Sequence, residues 1–220
     1  MEDMVLSAAQ KSLRVNLDSN IYGSFAEIGA GQETVRQFFR AGGASGTIAK
    51  AMSAYDKDFS DAIYGLEDDG RYVTENRLRT MINHEYTLLE DRLHREKYPN
   101  KRYFAFANTV ATINFSKTFK GHGWIGIRYQ TSAEKLPNEV ILHVRLHEND
   151  PKHQQETIGS IGVNLIYGAN FLFEDPKDLL HSLYDGVDKS AIEIDLINFS
   201  GPDFIEVDNR VMSLQLIKNG

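Results

Sequence analysis

Residues 102–147 read RYFAFANTVATINFSKTFKGHGWIGIRYQTSAEKLPNEVILHVRLH. Three stretches of this run, Tyr103 to Phe115, Trp124 to Tyr129 and Val140 to His147, are rich in aromatic and β-branched residues and are separated by turn formers. That pattern predicts three neighbouring strands, and their short connections predict antiparallel pairing. Downstream, Asp150-Pro151 supplies an N-cap and a first-turn proline for a helix through Tyr167. Gly159, Gly162 and Gly168 work against that helix, at about 1 kcal/mol each, and would suit close packing on the sheet. Pro176 opens a short helix to Tyr184, Ala191 to Phe199 reads as a strand, and Asp208 can cap a last helix ending at Lys218-Asn219-Gly220.

Upstream the period changes. Gln32 to Arg40 places Val35, Phe38 and Phe39 on one helical face and stops at Ala41-Gly42-Gly43. Ser45 to Tyr55 continues as a helix with Ile48, Met52 and Tyr55. Thr74 caps a long helix over 75–97, in which Leu78, Met81, Ile82, Tyr86, Leu89 and Leu93 recur every three or four residues. Glu75 with Arg79 and Asp91 with Arg95 are expected ion pairs on its outer face. The expected fold is α+β. A helical part, residues 1–100, packs on a mixed, largely antiparallel sheet carried by residues 101–220. Together they form one compact domain of a longer protein, because the chain stops on a helix C-cap glycine, and a C-terminal domain of the same protein is the expected partner.

Composition bounds the function. The chain has 220 residues, 41% of them hydrophobic, which is ample for a core. The net charge of −7 argues against nucleic acid as a partner. Its excess is local: residues 151–220 hold 5 basic and 11 acidic groups, and the blocks before them balance to within one charge. Cysteine is absent, which excludes disulfides, thiolate metal sites and cysteine nucleophiles. No stretch approaches the roughly 18 apolar residues of a membrane span, and the first twenty residues lack a basic start followed by an apolar run. The expectation is a cytoplasmic protein with no membrane partner.

Several stretches invite chemical readings. Ala26-Glu27-Ile28-Gly29-Ala30-Gly31 resembles the acidic-x-Gly-x-Gly turn of S-adenosylmethionine-dependent methyltransferases. However, Tyr22 to Phe25 is a poor buried strand, Glu33 replaces the third glycine, and no alternation of strands and helices follows. A turn before a helix is the better reading. Gly42 to Thr47 lacks the Gly-Lys-Ser/Thr ending of a phosphate loop and reads as a helix–helix connection. His143 and His147 would lie about 13 Å apart on a strand, which argues against zinc. Glu193 and Asp195 share one strand face and, with Asp203, Glu206 or Asp208, could hold magnesium; a half-buried strand shows the same alternation.

The most unusual segment is His122 to Gln130, with the only Trp and with Arg128 and Gln130 on one face of a short strand. Tyr22, Glu27 and Asn108 are polar groups in apolar settings that could converge there. The ligand-binding set is therefore Glu27, Asn108, His122, Trp124, Arg128 and Gln130, with no metal among them, no catalytic residue assigned and the cofactor unknown. Arg128 would pair with a phosphate or carboxylate, Glu27 would bind a cation or take a proton, and Trp124 would offer a stacking face. A degenerate metal-dependent nuclease core is a further alternative, although the Asp and Glu-x-Lys it needs are missing.

The runs Asn20 to Glu33, His122 to Gln130, Gly162 to Gly168 and Phe199 to Arg210 together resemble a family of uncharacterised bacterial and plant proteins. Its members are similar but longer, and carry the automatic labels nicotinate-nucleotide adenylyltransferase or TonB-dependent receptor. The first label implies a His-x-Gly-His loop, whereas His122-Gly123 here runs into Trp124. The second implies a secretion signal and a lipid-facing barrel, neither of which is read here. The resemblance carries over no catalytic residue. The functional expectation is a domain that handles a nucleotide or another anionic small molecule; the alternative is a non-catalytic interaction or assembly module.

Overall fold

The computed structural model describes residues 5–67 and 70–219. Its centre is one six-stranded sheet in the order β2-β1-β3-β4-β5-β6. The strands are β1 (Ile21–Gly29), β2 (Ile48–Ala54), β3 (Arg102–Ala111), β4 (His122–Tyr129), β5 (Asn138–Leu146) and β6 (Ile192–Ser200). β1 runs parallel to both β2 and β3, and β3 to β6 form an antiparallel meander. The fold is α+β with a mixed sheet, as the sequence implied, and the three strands of the 102–147 run stand where expected.

Two expectations fail in the first hundred residues, which contribute two strands as well as helices. Ser45 to Tyr55 is not a helix but a 3₁₀ turn followed by β2. Ile48 and Met52 are four apart, a spacing that lies on one face of a helix and equally on one face of a strand. Pairing with β1 decides between them. The poor strand Tyr22 to Phe25 lies within β1, paired on both sides by β2 and β3, with Phe25 and Ala26 fully buried. Gly23 is small for a reason: a Cβ there would stand 2.4 Å from the Phe104 carbonyl oxygen and ring. Phe25 packs against Phe38, Phe104 and Phe106, with centroids 5.2–5.7 Å apart. The strand borrows its apolar bulk from its neighbours.

The main core lies on one face, where α1 (Ala8–Leu17), α2 (Glu33–Ala41), α5 (Pro151–Phe171), α6 (Pro176–Ser182) and α7 (Asn209–Asn219) cover the strands. Asp150 accepts from the Lys152 and His153 amides, so the expected cap of α5 forms. Its glycines admit helices rather than the sheet alone: a Cβ on Gly162 would strike Thr34 of α2 as well as Phe106. Buried Lys11 ties α1 down through Asn164 Oδ1 and Asp185, both at 2.7 Å. Phe39, read on one face with Phe38, is left exposed while Phe38 is buried. α7 begins after Asp208, as expected, and Gly220 lies outside the described residues.

α3 (Lys57–Tyr64) and α4 (Glu75–Arg92) occupy the opposite face. α4 starts at Thr74 and buries Leu78, Met81, Ile82, Tyr86 and Leu89, but ends about a turn before residue 97. Glu75 pairs with Arg79. Arg95 instead leaves Asp91, reaches the Lys101 carbonyl and Gln130, and lies over the Tyr103 ring. α4 covers β1, β3 and β4. Beyond it, on the same face, His143 and Arg145 of β5 and Glu193 and Asp195 of β6 are half-buried or exposed. The outer edge of β6 is blunted by side chains: Tyr184 OH accepts from the Ile194 amide, Ser213 bonds both backbone groups of Ile197, and Asn209 both of Phe199. No helix among the described residues is long and apolar enough to cross a membrane.

Candidate functional site

The six residues picked from sequence do not meet. Glu27 faces Asn108 across the β1–β3 pair, whereas Arg128 faces Ala105, three residues along β3 and therefore on the opposite side of the sheet. Glu27 is 1% exposed and lies beneath α2. Its carboxylate accepts from the backbone amides of Thr34 (3.1 Å) and Val35 (3.2 Å) and from Asn108 Nδ2 (3.0 Å). Asn108 Nδ2 also donates to the Gly31 carbonyl at 2.9 Å. Burial pushes the Glu27 carboxyl up to about 7, with the bonds from Thr34, Val35 and Asn108 pulling the other way. It is the N-terminal anchor of α2, satisfying amides that a helix start leaves open. A carboxylate so enclosed has no room for a metal, so the nuclease alternative loses its acid.

The glycine run after Glu27 has a related outcome. β1, α2 and β2 do form a parallel strand–helix–strand unit, so the local argument against a cofactor turn does not hold. The space that a cofactor would need is nevertheless filled from within, because a Cβ on Gly31 would stand 2.0 Å from Asn108 Oδ1. Gly42 to Thr47 joins a helix to a strand rather than to a second helix, and Asn16 Nδ2 donates to the Phe38 and Gly42 carbonyls there. Gln130 is 4% exposed and closes the β4–β5 connection: it accepts from the Tyr103 amide and donates to the Ala133 and Lys135 carbonyls. Arg128 leans on α4, with Nη1 on Asn83 Oδ1 at 3.1 Å and the guanidinium 5.2 Å from the Tyr86 ring.

His122 and Trp124 alone reach an open cluster, and the sequence reading missed its other members. His122 and Trp124 on β4 lie beside His143 and Arg145 on β5, and Asp195 on β6 completes the group. The Asp195 position depends on an irregularity in pairing. His143 faces Leu196 and the next residue faces Ile194, so Asp195 is skipped as a β-bulge and its side chain is re-aimed. Its Oδ1 lies 2.5 Å from His143 Nδ1, and its Oδ2 accepts from Arg145 Nε at 2.6 Å. Burial works to raise the Asp195 carboxyl, but the bonds from Arg145 and His143 hold it below the usual carboxylate range.

His122 Nδ1 lies 3.3 Å from His143 Nε2, and the Trp124 ring packs tilted against His143 with centroids 4.7 Å apart. Burial, and then the neighbouring His143 and Arg145, lower the His122 pKa. These side chains border a pocket of about 530 Å³ lined by Lys120, Gly121, His122, His143, Arg145, Leu146, His147 and Glu193. The alternation of His143 with Arg145 and of Glu193 with Asp195 was legible in sequence; that the two pairs are neighbours was not.

The magnesium reading does not survive. Asp195 is engaged by His143 and Arg145, Glu193 lies 3.5 Å from His147 Nε2, and Asp203 is bound by Thr131, Lys135 and Asn138. Among the described residues no three His, Cys, Asp or Glu side chains are arranged to hold a metal ion. What the open cluster offers chemically is an ionised carboxylate behind two imidazoles, with an arginine at the rim.

No family model and no curated protein sequence matches the chain. Among solved structures it is similar in fold to a competence-damaged protein (CinA) superfamily protein from Enterobacter cloacae. The two are 10% identical with a TM-score of 0.51, over 76% of this chain and 94% of that one. A competence/damage-inducible protein of Agrobacterium tumefaciens gives 15% identity and a TM-score of 0.46, over 82% and 99%. At 10% identity the first likeness is one of fold.

Proposed function

We propose that the chain binds a small anionic molecule, of the size of a nucleotide or a phosphate ester, in the pocket between β4, β5 and β6. The observation that carries this reading is the state of Arg145. Its Nε is tied to Asp195, it is 60% exposed at the pocket rim, and its terminal nitrogens make no hydrogen bond among the described residues. A guanidinium oriented by one edge and open on the other suits a planar or tetrahedral anion. Lys120 adds a second cation at the rim, and half-exposed Trp124 packs against His143 of the lining.

The test is a thermal-shift series with inorganic phosphate, nicotinate mononucleotide, NAD and ATP. A ligand at 100 times its Kd adds about 2.7 kcal/mol, a rise of about 5–10 °C in a chain of this length. The expected result is a shift in the wild type and in Arg128→Ala that is lost in Arg145→Ala. A series in which no anion shifts the wild type, or in which the shift survives Arg145→Ala, would overturn the reading.

A further inference from the structure

The cluster behind Arg145 holds a chain of hydrogen bonds that anion binding does not use. Asp195 is ionised, with Arg145 Nε on one oxygen, and an ionised carboxylate only accepts. His143 Nδ1, 2.5 Å from the other oxygen, therefore carries a hydrogen. In the Nδ1–H tautomer of His143 the second nitrogen, Nε2, is bare and accepts. The atom facing it at 3.3 Å is His122 Nδ1, which is the donor. That leaves His122 Nε2 as the bare end of the chain, on a ring that lines the pocket. Trp124 on His143 and Phe119 near His122, at 4.7 and 5.8 Å between centroids, limit the rotation of both rings.

We propose that His122 Nε2 is the general base of a hydrolytic site whose substrate is a small acyl ester carrying an anionic group. His143 and Asp195 are positioning residues that set its tautomer. The anionic character of the substrate rests on the reading of Arg145 above; the assignment of the base does not. Among the described residues no Ser, Thr or Cys lines the pocket, and the nucleophile assigned to the base is water. Water passes a proton to His122 Nε2 as its oxygen bonds to the carbonyl carbon. Collapse of the tetrahedral adduct breaks the bond to the leaving oxygen, which takes that proton back. Asp195 balances the transient imidazolium across His143.

The titratable and charged groups around this ring are His143 and Arg145 from β5, His147 just beyond it, Asp195 and Glu193 from β6, and Lys120 from the β3–β4 loop. Burial keeps His122 below the ordinary histidine range, so it is the free base at neutral pH.

Two measurements on the full chain test this. Long-range ¹H–¹⁵N NMR at neutral pH is expected to show both His122 and His143 as Nδ1–H tautomers, and Asp195→Asn to disturb both. An Nε2–H tautomer at His122 would overturn the proposal whatever the kinetics. Hydrolysis of acetylsalicylate, an anionic aryl ester, and of neutral 4-nitrophenyl acetate is expected to exceed that by equal free imidazole by roughly 10²-fold. The rate should follow deprotonation of one group and be lost in His122→Gln, whose melting temperature reports that it is folded. Asp195→Asn should lower kcat more than it raises KM and move the pH profile. Arg145→Ala should erase any preference for acetylsalicylate. Equal turnover of both esters, insensitive to Arg145→Ala, would sink the anion reading and leave the base standing. Correct tautomers without turnover above free imidazole would sink the hydrolytic proposal alone.

Discussion

Glu27 beneath α2 and Asp195 on the far strands are built from similar parts and end in opposite states. Each is a strand carboxylate within hydrogen-bond reach of a side chain on a neighbouring strand, Asn108 in one case and His143 in the other. Glu27 is sealed by a helix whose own amides take both its oxygens, and burial raises its pKa. Asp195, its side chain 18% exposed, keeps partial contact with water and has its pKa lowered by the bonds from Arg145 and His143. A carboxylate that a helix covers becomes architecture, whereas one left at an open sheet face remains available for chemistry.

The sharpest way to break this comparison is to remove both carboxylates in turn. Glu27→Leu strands the Thr34 and Val35 amides and Asn108, and is expected to cost about 3–4 kcal/mol in urea unfolding. Asp195→Ala, at the partly solvated face, is expected to cost under about 1 kcal/mol. Equal losses would erase the distinction.

A pH series sharpens it. Below the ordinary glutamate pKa of 4.5, Glu27 is protonated in both folded and unfolded chains and its contribution is fully present. As pH rises towards 7 the unfolded chain gives up this proton first, so stability falls by up to about 3 kcal/mol between pH 4.5 and 7 and levels off above that. Glu27→Gln should flatten that slope. A wild-type profile that rises across this window after subtraction of the Glu27→Gln profile would refute the assignment.

Smaller effects follow. Gly31→Ala forces a methyl onto Asn108 and should cost about 1–3 kcal/mol by disturbing the sealed network, without changing ligand response at the open face. Asn209→Ala should cost about 1 kcal/mol by exposing the β6 edge at Phe199. Concentration-dependent association in sedimentation would then show that this side chain guards the edge.

Much of the fold was legible because its signals are local. Asp150-Pro151 starts α5 with its own side chain and ring, Thr74 caps α4, and the aromatic and β-branched runs of β3, β4 and β5 need no distant partner to declare themselves. The candidate site was half legible. His122 and Trp124 were singled out for unusual chemistry and lie at the open cluster, while Glu27, Asn108 and Gln130 proved to be internal connectors and Arg128 belongs to the α4 side. His143 and Asp195 were visible only as members of separate strands, and Arg145 was not singled out.

Propensity and periodicity within a few residues set the class of the fold, the caps and the strand-forming runs. Tertiary structure alone decided that Ile48 to Ala54 is a strand, because a four-residue spacing satisfies both periods and only the hydrogen bonds to β1 separate them. It also decided which carboxylate is sealed and which is open. Register brings Glu27 to Asn108 over eighty-one positions of chain, and a one-residue bulge turns Asp195 towards His143 over fifty-two. Pairing of that kind is fixed by burial and ladder hydrogen bonds shared between distant strands, a property that no single segment carries.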